Sequence, residues 1–179
     1  VYRSNGDLYF TDPPYGLTGK MGDPEKEIDF QGVYRVTPSG EVSLLTREMS
    51  RPNGIAFSPD ERTLYVANSD PERAIWMAFP VTDAGDLGEG RVLFDATHMV
   101  PDLPGLPDGL AIDPDGHLFA TGPGGVLVLT PEGEHLGTIL TGRPTSNCTF
   151  GGDGSTLYVT ADELVARVTG AGDTFMAAH

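Results

Sequence analysis

Cysteine is nearly absent. Cys148 is the only one, so no disulfide can form within the chain and oxidising export cannot be read from a bridge. Positive charge is scarce as well. Against 26 acidic residues stand 11 basic ones, a formal net charge of −15, and a surface of that sign repels a phosphate backbone. Nucleic acid is thereby excluded as a partner. No run approaches the roughly 18 apolar residues of a membrane span, and VYRSNGDLYF carries no signal-peptide pattern. The chain therefore reads as soluble with no membrane partner, and nothing in it separates a cytoplasmic from a periplasmic location. Leu8, Tyr9 and Phe10 already read as strand, so the opening residues look like the interior of a domain. Helical periodicity is missing too, until the last twenty residues.

Turn-formers are abundant instead. Gly 24 and Pro 15 make up about 22% of the chain, against roughly 12% in average usage, and they are spread along it, which implies many short strands joined by tight turns. Four segments share one pattern, a polar turn followed by a Leu-aromatic strand start: NGDLYFTD, DERTLYVAN, DGHLFATG and DGSTLYVTA. Their leucines, Leu8, Leu64, Leu118 and Leu157, are 56, 54 and 39 residues apart. A second pattern precedes three of them, PNGIAFSPD, PDGLAIDPD and SNCTFGGD, with Asn53, Asp108 and Asn147 in equivalent places. Strand-like stretches fill the intervals: GVYRV with EVSLL, AIWMAF with RVLF, and GVLVLT with HLGTIL. Four strands per unit is the arithmetic of a propeller blade. About three and a half such units fit in the chain, fewer than closure of a ring needs, so open strand edges are expected and with them a tendency to self-associate. A β-sandwich would not require motif pairs that recur in step with the strands.

Equivalent positions in successive blades converge on one end of a propeller's channel. Asn53 and Asp108 should therefore face one another, offering an amide oxygen and a carboxylate, hard donors suited to Ca²⁺ or Mg²⁺ and tolerable to Mn²⁺ or Zn²⁺. Asn-Gly and Asp-Gly are equally the commonest hairpin dipeptides, and spacing alone leaves both readings open. Tyr15, in the loop Asp-Pro-Pro-Tyr-Gly-Leu, could line the channel mouth, and the charged insert Thr18 to Phe30 could lie over it as a lid; plain loop is the other reading of each. His98, His117 and His135 have no ligand spacing, Cys148 reads as a small core residue, and Trp76 as packing between blades.

NGDLYFTDPPYGL, RPNGIAFSPDERTLYVANSD, LPDGLAIDPDGHLFAT and SNCTFGGDGSTLYVTA resemble, in matching order, consecutive blades of the regucalcin and gluconolactonase family. The resemblance covers about residues 1–168 and implies an all-β six-bladed β-propeller, of which three to four blades lie here. It also implies one divalent cation, most simply Ca²⁺, held by a Glu, an Asn and an Asp, and metal-dependent hydrolysis of a sugar-derived or similar lactone. The Asn maps to Asn53 and the Asp to Asp108, which would be both metal ligand and general base. The Glu and a substrate-contacting Asn-Asp pair have no counterpart, so the chain alone is expected to be an incomplete part of the enzyme. A non-catalytic binding propeller and a hydrolase of other esters on the same scaffold are the rival readings. The last residues, 169–179 (TGAGDTFMAAH), depart from the pattern and resemble the anion-hole signature of ribokinase-like sugar kinases, with Asp173 in the place of their base. Such a motif needs a large α/β domain around it, so this tail reads as a junction or a chance likeness, without kinase activity.

Overall fold

The strand-and-turn alternation of the sequence is realised throughout a computed structural model that describes residues 1–152 and 154–170. Fourteen strands occur among them. They are β1 (Leu8–Asp12), β2 (Gly32–Val36), β3 (Val42–Thr46), β4 (Pro52–Phe57), β5 (Thr63–Asp70), β6 (Arg73–Pro80) and β7 (Arg91–Asp95), then β8 (Leu110–Ile112), β9 (Leu118–Gly122), β10 (Gly125–Leu129), β11 (His135–Leu140), β12 (Thr145–Phe150), β13 (Thr156–Ala161) and β14 (Leu164–Thr169). They pair antiparallel with sequential neighbours into four sheets, β1-β2-β3, β4-β5-β6-β7, β8-β9-β10-β11 and β12-β13-β14. Turn chemistry sets these hairpins: in the β8–β9 connection Gly116 takes φ +90°, a conformation open to Gly at little cost, and the Asp113 carboxylate accepts the amides of Asp115 and His117 at 2.9 and 2.8 Å.

Period-two alternation decides how the sheets stack. Along β5, Leu64 and Val66 point to one side, where they meet Tyr9 and Val33 of the first sheet and Met49 of the β3–β4 connection, while Tyr65 and Ala67 point to the other, against Leu118, Ala120, Leu127 and Leu129 of the third. The third and fourth sheets are joined in the same way, Phe119, Val126 and Val128 meeting Cys148, Leu157 and Val159. Each core therefore lies between two sheets, and each buried Leu or Phe contributes about 1.5–3 kcal/mol by leaving water. Trp76 is fully buried between the second and third sheets and packs on Phe94 with ring centroids 6.3 Å apart. Its ring closes on Gly122, where an added Cβ would stand 2.7 Å from it.

With β1 beside β4, and β4, β8 and β12 successive neighbours, the sheets are consecutive blades of a β-propeller. The architecture is the all-β propeller class that the resemblance implied, with three and a half blades' worth of strands described here. In the last sheet β13 alternates buried and exposed residues, and Tyr158 and Val165 are exposed. One expectation is corrected. The helical pattern of the last twenty residues gives way to strand as far as Thr169, because β14 finds a complete antiparallel ladder on β13, from Ala161↔Leu164 to Thr156↔Thr169, and its β-branched Val165, Val168 and Thr169 suit that ladder. The kinase-like segment from Ala171 onward, Asp173 included, lies outside the described residues.

Candidate functional site

Asn53-Gly54 lies within β4, where the register to β5 shifts between Pro52 and Ile55, and Asp108-Gly109 leads directly into β8. Neither Gly54 nor Gly109 has a positive φ, so these dipeptides are not hairpin tips. Their glycines answer a different need. A Cβ on Gly54 would stand 2.0 Å from the Asp108 carbonyl oxygen, and one on Gly109 would stand 2.2 Å from Asn147 Oδ1. Only a residue without a side chain lets the strand entries of successive blades approach so closely. Hydrogen bonds lock the same junctions, Thr11 Oγ1 donating to the Asn53 carbonyl at 2.7 Å and the Gly109 amide to the Ser146 carbonyl at 2.9 Å.

This packing brings Asn53 and Asp108 together, as their equivalent places in the repeat implied. They line one cavity of about 440 Å³ with Tyr15, Ser69, Leu106, Thr145, Ser146 and Asp162. The Asn53 amide donates to Ser69 Oγ at 3.0 Å, and its NH2 group lies near enough to the Asp108 carboxylate to favour the ionised form. Asn147, third in the repeat, takes no part: its Oδ1 accepts the Cys148 amide at 2.8 Å. Among the described residues no Lys, Arg or His lines the cavity. Burial pushes the Asp108 carboxyl up to about 6, and bonds from the Gly109 amide and the Asn53 side chain only partly offset it. The result is a half-buried carboxylate beside an amide, with no cationic side chain in the cavity to balance it.

Tyr15 also lines the cavity, its hydroxyl donating to the Ser69 carbonyl at 3.4 Å, and burial raises its pKa. The insert Thr18 to Phe30 does not line it. Residues of that insert border a separate cleft of about 430 Å³ with Asp12, Pro13 and Pro14. His117 Nδ1 lies 3.0 Å from Asp113 Oδ2, and these two with Asp115 group their ligand atoms within 4.8 Å. That trio closes the hairpin at the other end of β8 from Asp108, and Asp113 already accepts two backbone amides there. Cys148 is inert, its thiol donating to the Phe119 carbonyl at 3.1 Å and pushed up to about 12 by burial.

Sequence reasoning missed Ser69 and Asp162. Ser69 and Asp162 share one place in the repeat, five residues after Leu64 and Leu157 and beyond the recurring motif, but Pro13 and Pro123 stand there in the other two units, so no residue type recurs to signal it. Asp162 occupies a two-residue hairpin at φ +53°, an uncommon conformation for a residue other than Gly, and lies 3.7 Å from Arg143.

Comparison with known proteins yields a consistent set. A family model described as the SMP-30/Gluconolactonase/LRE-like region matches residues 1–163. The gluconolactonase of Zymomonas mobilis is 44% identical over 173 residues, covering 93% of this chain and 48% of that protein. Among solved structures, a gluconolactonase from Xanthomonas campestris superposes with a TM-score of 0.81 at 34% identity, over 94% of this chain and 55% of that one. A calcium-binding protein, regucalcin, from Agrobacterium tumefaciens superposes with a TM-score of 0.62 at 30% identity, over 77% and 46%. The chain spans about half the length of the relatives it matches.

Proposed function

The chain belongs to the SMP-30/gluconolactonase/LRE-like family, and from that premise we propose that it contributes Asn53 and Asp108 to a lactone-hydrolysing site built around one divalent cation. The observation that carries this reading is the half-buried Asp108 carboxylate, next to an amide and in a cavity that no cationic side chain lines among the described residues. A bound cation would balance that charge, and hard oxygen donors select Ca²⁺, Mg²⁺, Mn²⁺ or Zn²⁺ over softer ions. Calcium is our choice, supported by the fold shared with a calcium-binding regucalcin. When bound, such an ion supplies Lewis-acid polarisation of a carbonyl.

The side chains divide the remaining work. Asp108 would give one oxygen to the ion and present the other as acceptor for a proton from the attacking water. Asn53 supplies a neutral donor. The Tyr15 hydroxyl stands at the cavity wall, where it can bond a substrate oxygen and keep bulk water from one side. The cavity, at about 440 Å³, is of the size that takes a small molecule such as a sugar lactone.

Two protein donors leave most of calcium's 6 to 8 coordination positions to other oxygens, so the 179-residue chain should bind it weakly. Calcium binding must displace the Asp108 proton, and its affinity is therefore expected to hold above about pH 6 and to fall roughly tenfold per pH unit below it. Asn53→Ala should weaken it by about tenfold or more, the equivalent of about 1.4 kcal/mol. Calorimetric titration at pH 7.5 and 5.0 reads both effects, with Mg²⁺, Mn²⁺ and Zn²⁺ as parallel arms. Absence of binding at pH 7.5 by any of the four would favour a binding propeller without metal chemistry. A panel of lactones and other esters, run on the full-length protein, tests the substrate class.

A further inference from the structure

Ser69 stands between the two residues that carry the proposed site. It is 4% exposed, on β5 next to β4, and its hydroxyl has two partners. One is the carbonyl of Pro107, the residue before Asp108, and a carbonyl can only accept. The single Ser69 proton is therefore committed to Pro107. The other partner is Asn53 Nδ2 at 3.0 Å, to which Ser69 Oγ can offer only a lone pair. A flipped Asn53 amide would set its Oδ1 lone pairs against that oxygen, which has no proton left to give, and would turn a partial negative charge toward the nearby Asp108 carboxylate.

We propose that Ser69 is a positioning residue for the cation site: by donating to Pro107 and accepting from Asn53, it fixes the Asn53 amide so that Oδ1, its only atom able to ligate a hard cation, is kept for the ion. The same hydroxyl ties the strand entry that carries Asp108 to the strand that carries Asn53, so amide orientation and ligand spacing are set by one group. This rests on the reading that Asn53 and Asp108 hold the ion, but it makes a claim about the metal-free amide that stands by itself.

The test uses the 179-residue chain with three variants. Ser69→Ala removes the hydroxyl, and Ser69→Thr restores it. Thr121→Val removes a different buried hydroxyl, which donates to the Gly109 carbonyl at 2.8 Å without touching Asn53, and so reports the effect of losing a buried bond near Asp108 as such. NMR of the Asn53 side-chain amide in the metal-free protein should show one slowly exchanging, shifted pair of protons in wild type, in Thr121→Val and in Ser69→Thr, and a collapsed, exchange-broadened pair in Ser69→Ala. Calcium titration followed by the same resonances should show affinity 10- to 100-fold weaker in Ser69→Ala, the range for outer-shell partners, with recovery in Ser69→Thr. An Asn53 amide unchanged in Ser69→Ala would overturn the proposal whether or not calcium binds. So would equal losses in Ser69→Ala and Thr121→Val, or a loss in Ser69→Thr with its fold intact. Wild type that keeps the ordered amide but does not bind calcium would sink the cation site and leave the amide's anchoring in place.

Discussion

Replacing Asp108 by Asn in the full-length protein is expected to lower lactone turnover by about 10²- to 10⁴-fold, the span associated with loss of a positioned general base, while making the metal-free protein more stable at neutral pH. The two effects have one origin. Burial raises the Asp108 carboxyl from the ordinary 3.8 to about 6, so the native state holds its proton more tightly than the unfolded chain does. Its contribution to stability is then fully present below about pH 3.8 and lost as pH rises through 6, so above pH 6 the ionised carboxylate destabilises the fold. A shift of about two units is worth about 3 kcal/mol at most. Because solvent reaches part of the group, roughly 1–2 kcal/mol is the fairer figure. Asn has nearly the same shape and no charge, so Asp108→Asn should raise the melting temperature by about 2–8 °C at pH 7.5 in the presence of chelator. At pH 4 the gain should vanish. Calorimetry at both pH values, together with turnover at saturating calcium, checks the pair; undiminished turnover, or a lower melting temperature at pH 7.5, would reject the role given to Asp108.

Much of this arrangement was legible before any coordinates, for reasons that vary by residue. HLGTIL and GVYRV match β11 and β2 residue for residue, because alternation and flanking Pro-x-Gly turns act within a few positions of the strand they delimit. Asn53 and Asp108 could be paired because a repeat converts sequence register into spatial equivalence, a long-range fact carried by a local pattern. The same logic failed for Asn147, which shares their register but turns its Oδ1 back to the Cys148 amide. Ser69 was invisible because its meaning lies in two bonds to residues 16 and 38 positions away. The lid over Thr18 to Phe30 was read from charge and Gly content, which locate a loop but not the cavity it borders; only Tyr15, just before it, reaches the site. The tail strand β14 was misread because five of its six side chains are exposed, so period and burial carry little information there and ladder pairing decides.

Gly54 allows a sharper test of why the site exists at all. Spacing left Asn-Gly open to a turn role, and in that case Gly54→Ala would have mattered only through backbone conformation. The structure gives Gly54 no positive φ, so Ala is compatible with its backbone, and the whole cost must come from the Asp108 carbonyl 2.0 Å from the new Cβ. That oxygen is backbone, held beside bonds from the Asp108 amide to Thr121 and from the Gly109 amide to Ser146, and it cannot swing aside as a side chain would. Overpacking of this kind costs about 3 kcal/mol or more, the upper end of its usual range. A fall of roughly 6–12 °C in melting temperature follows for a protein of this size. Gly137→Ala, on β11 with nothing within 4 Å of the added Cβ, is the matched control and should stay within about 0.5 kcal/mol of wild type. Calcium affinity separates the two roles of Gly54. If Asn53 and Asp108 meet only because two blades touch through this glycine, whatever fraction of Gly54→Ala remains folded should bind calcium at least about tenfold more weakly, since parting the strands by even an ångström parts the donors. A Gly54→Ala protein as stable as wild type would mean that the strand entries lie farther apart than described, and the shared cation site would fall with that contact.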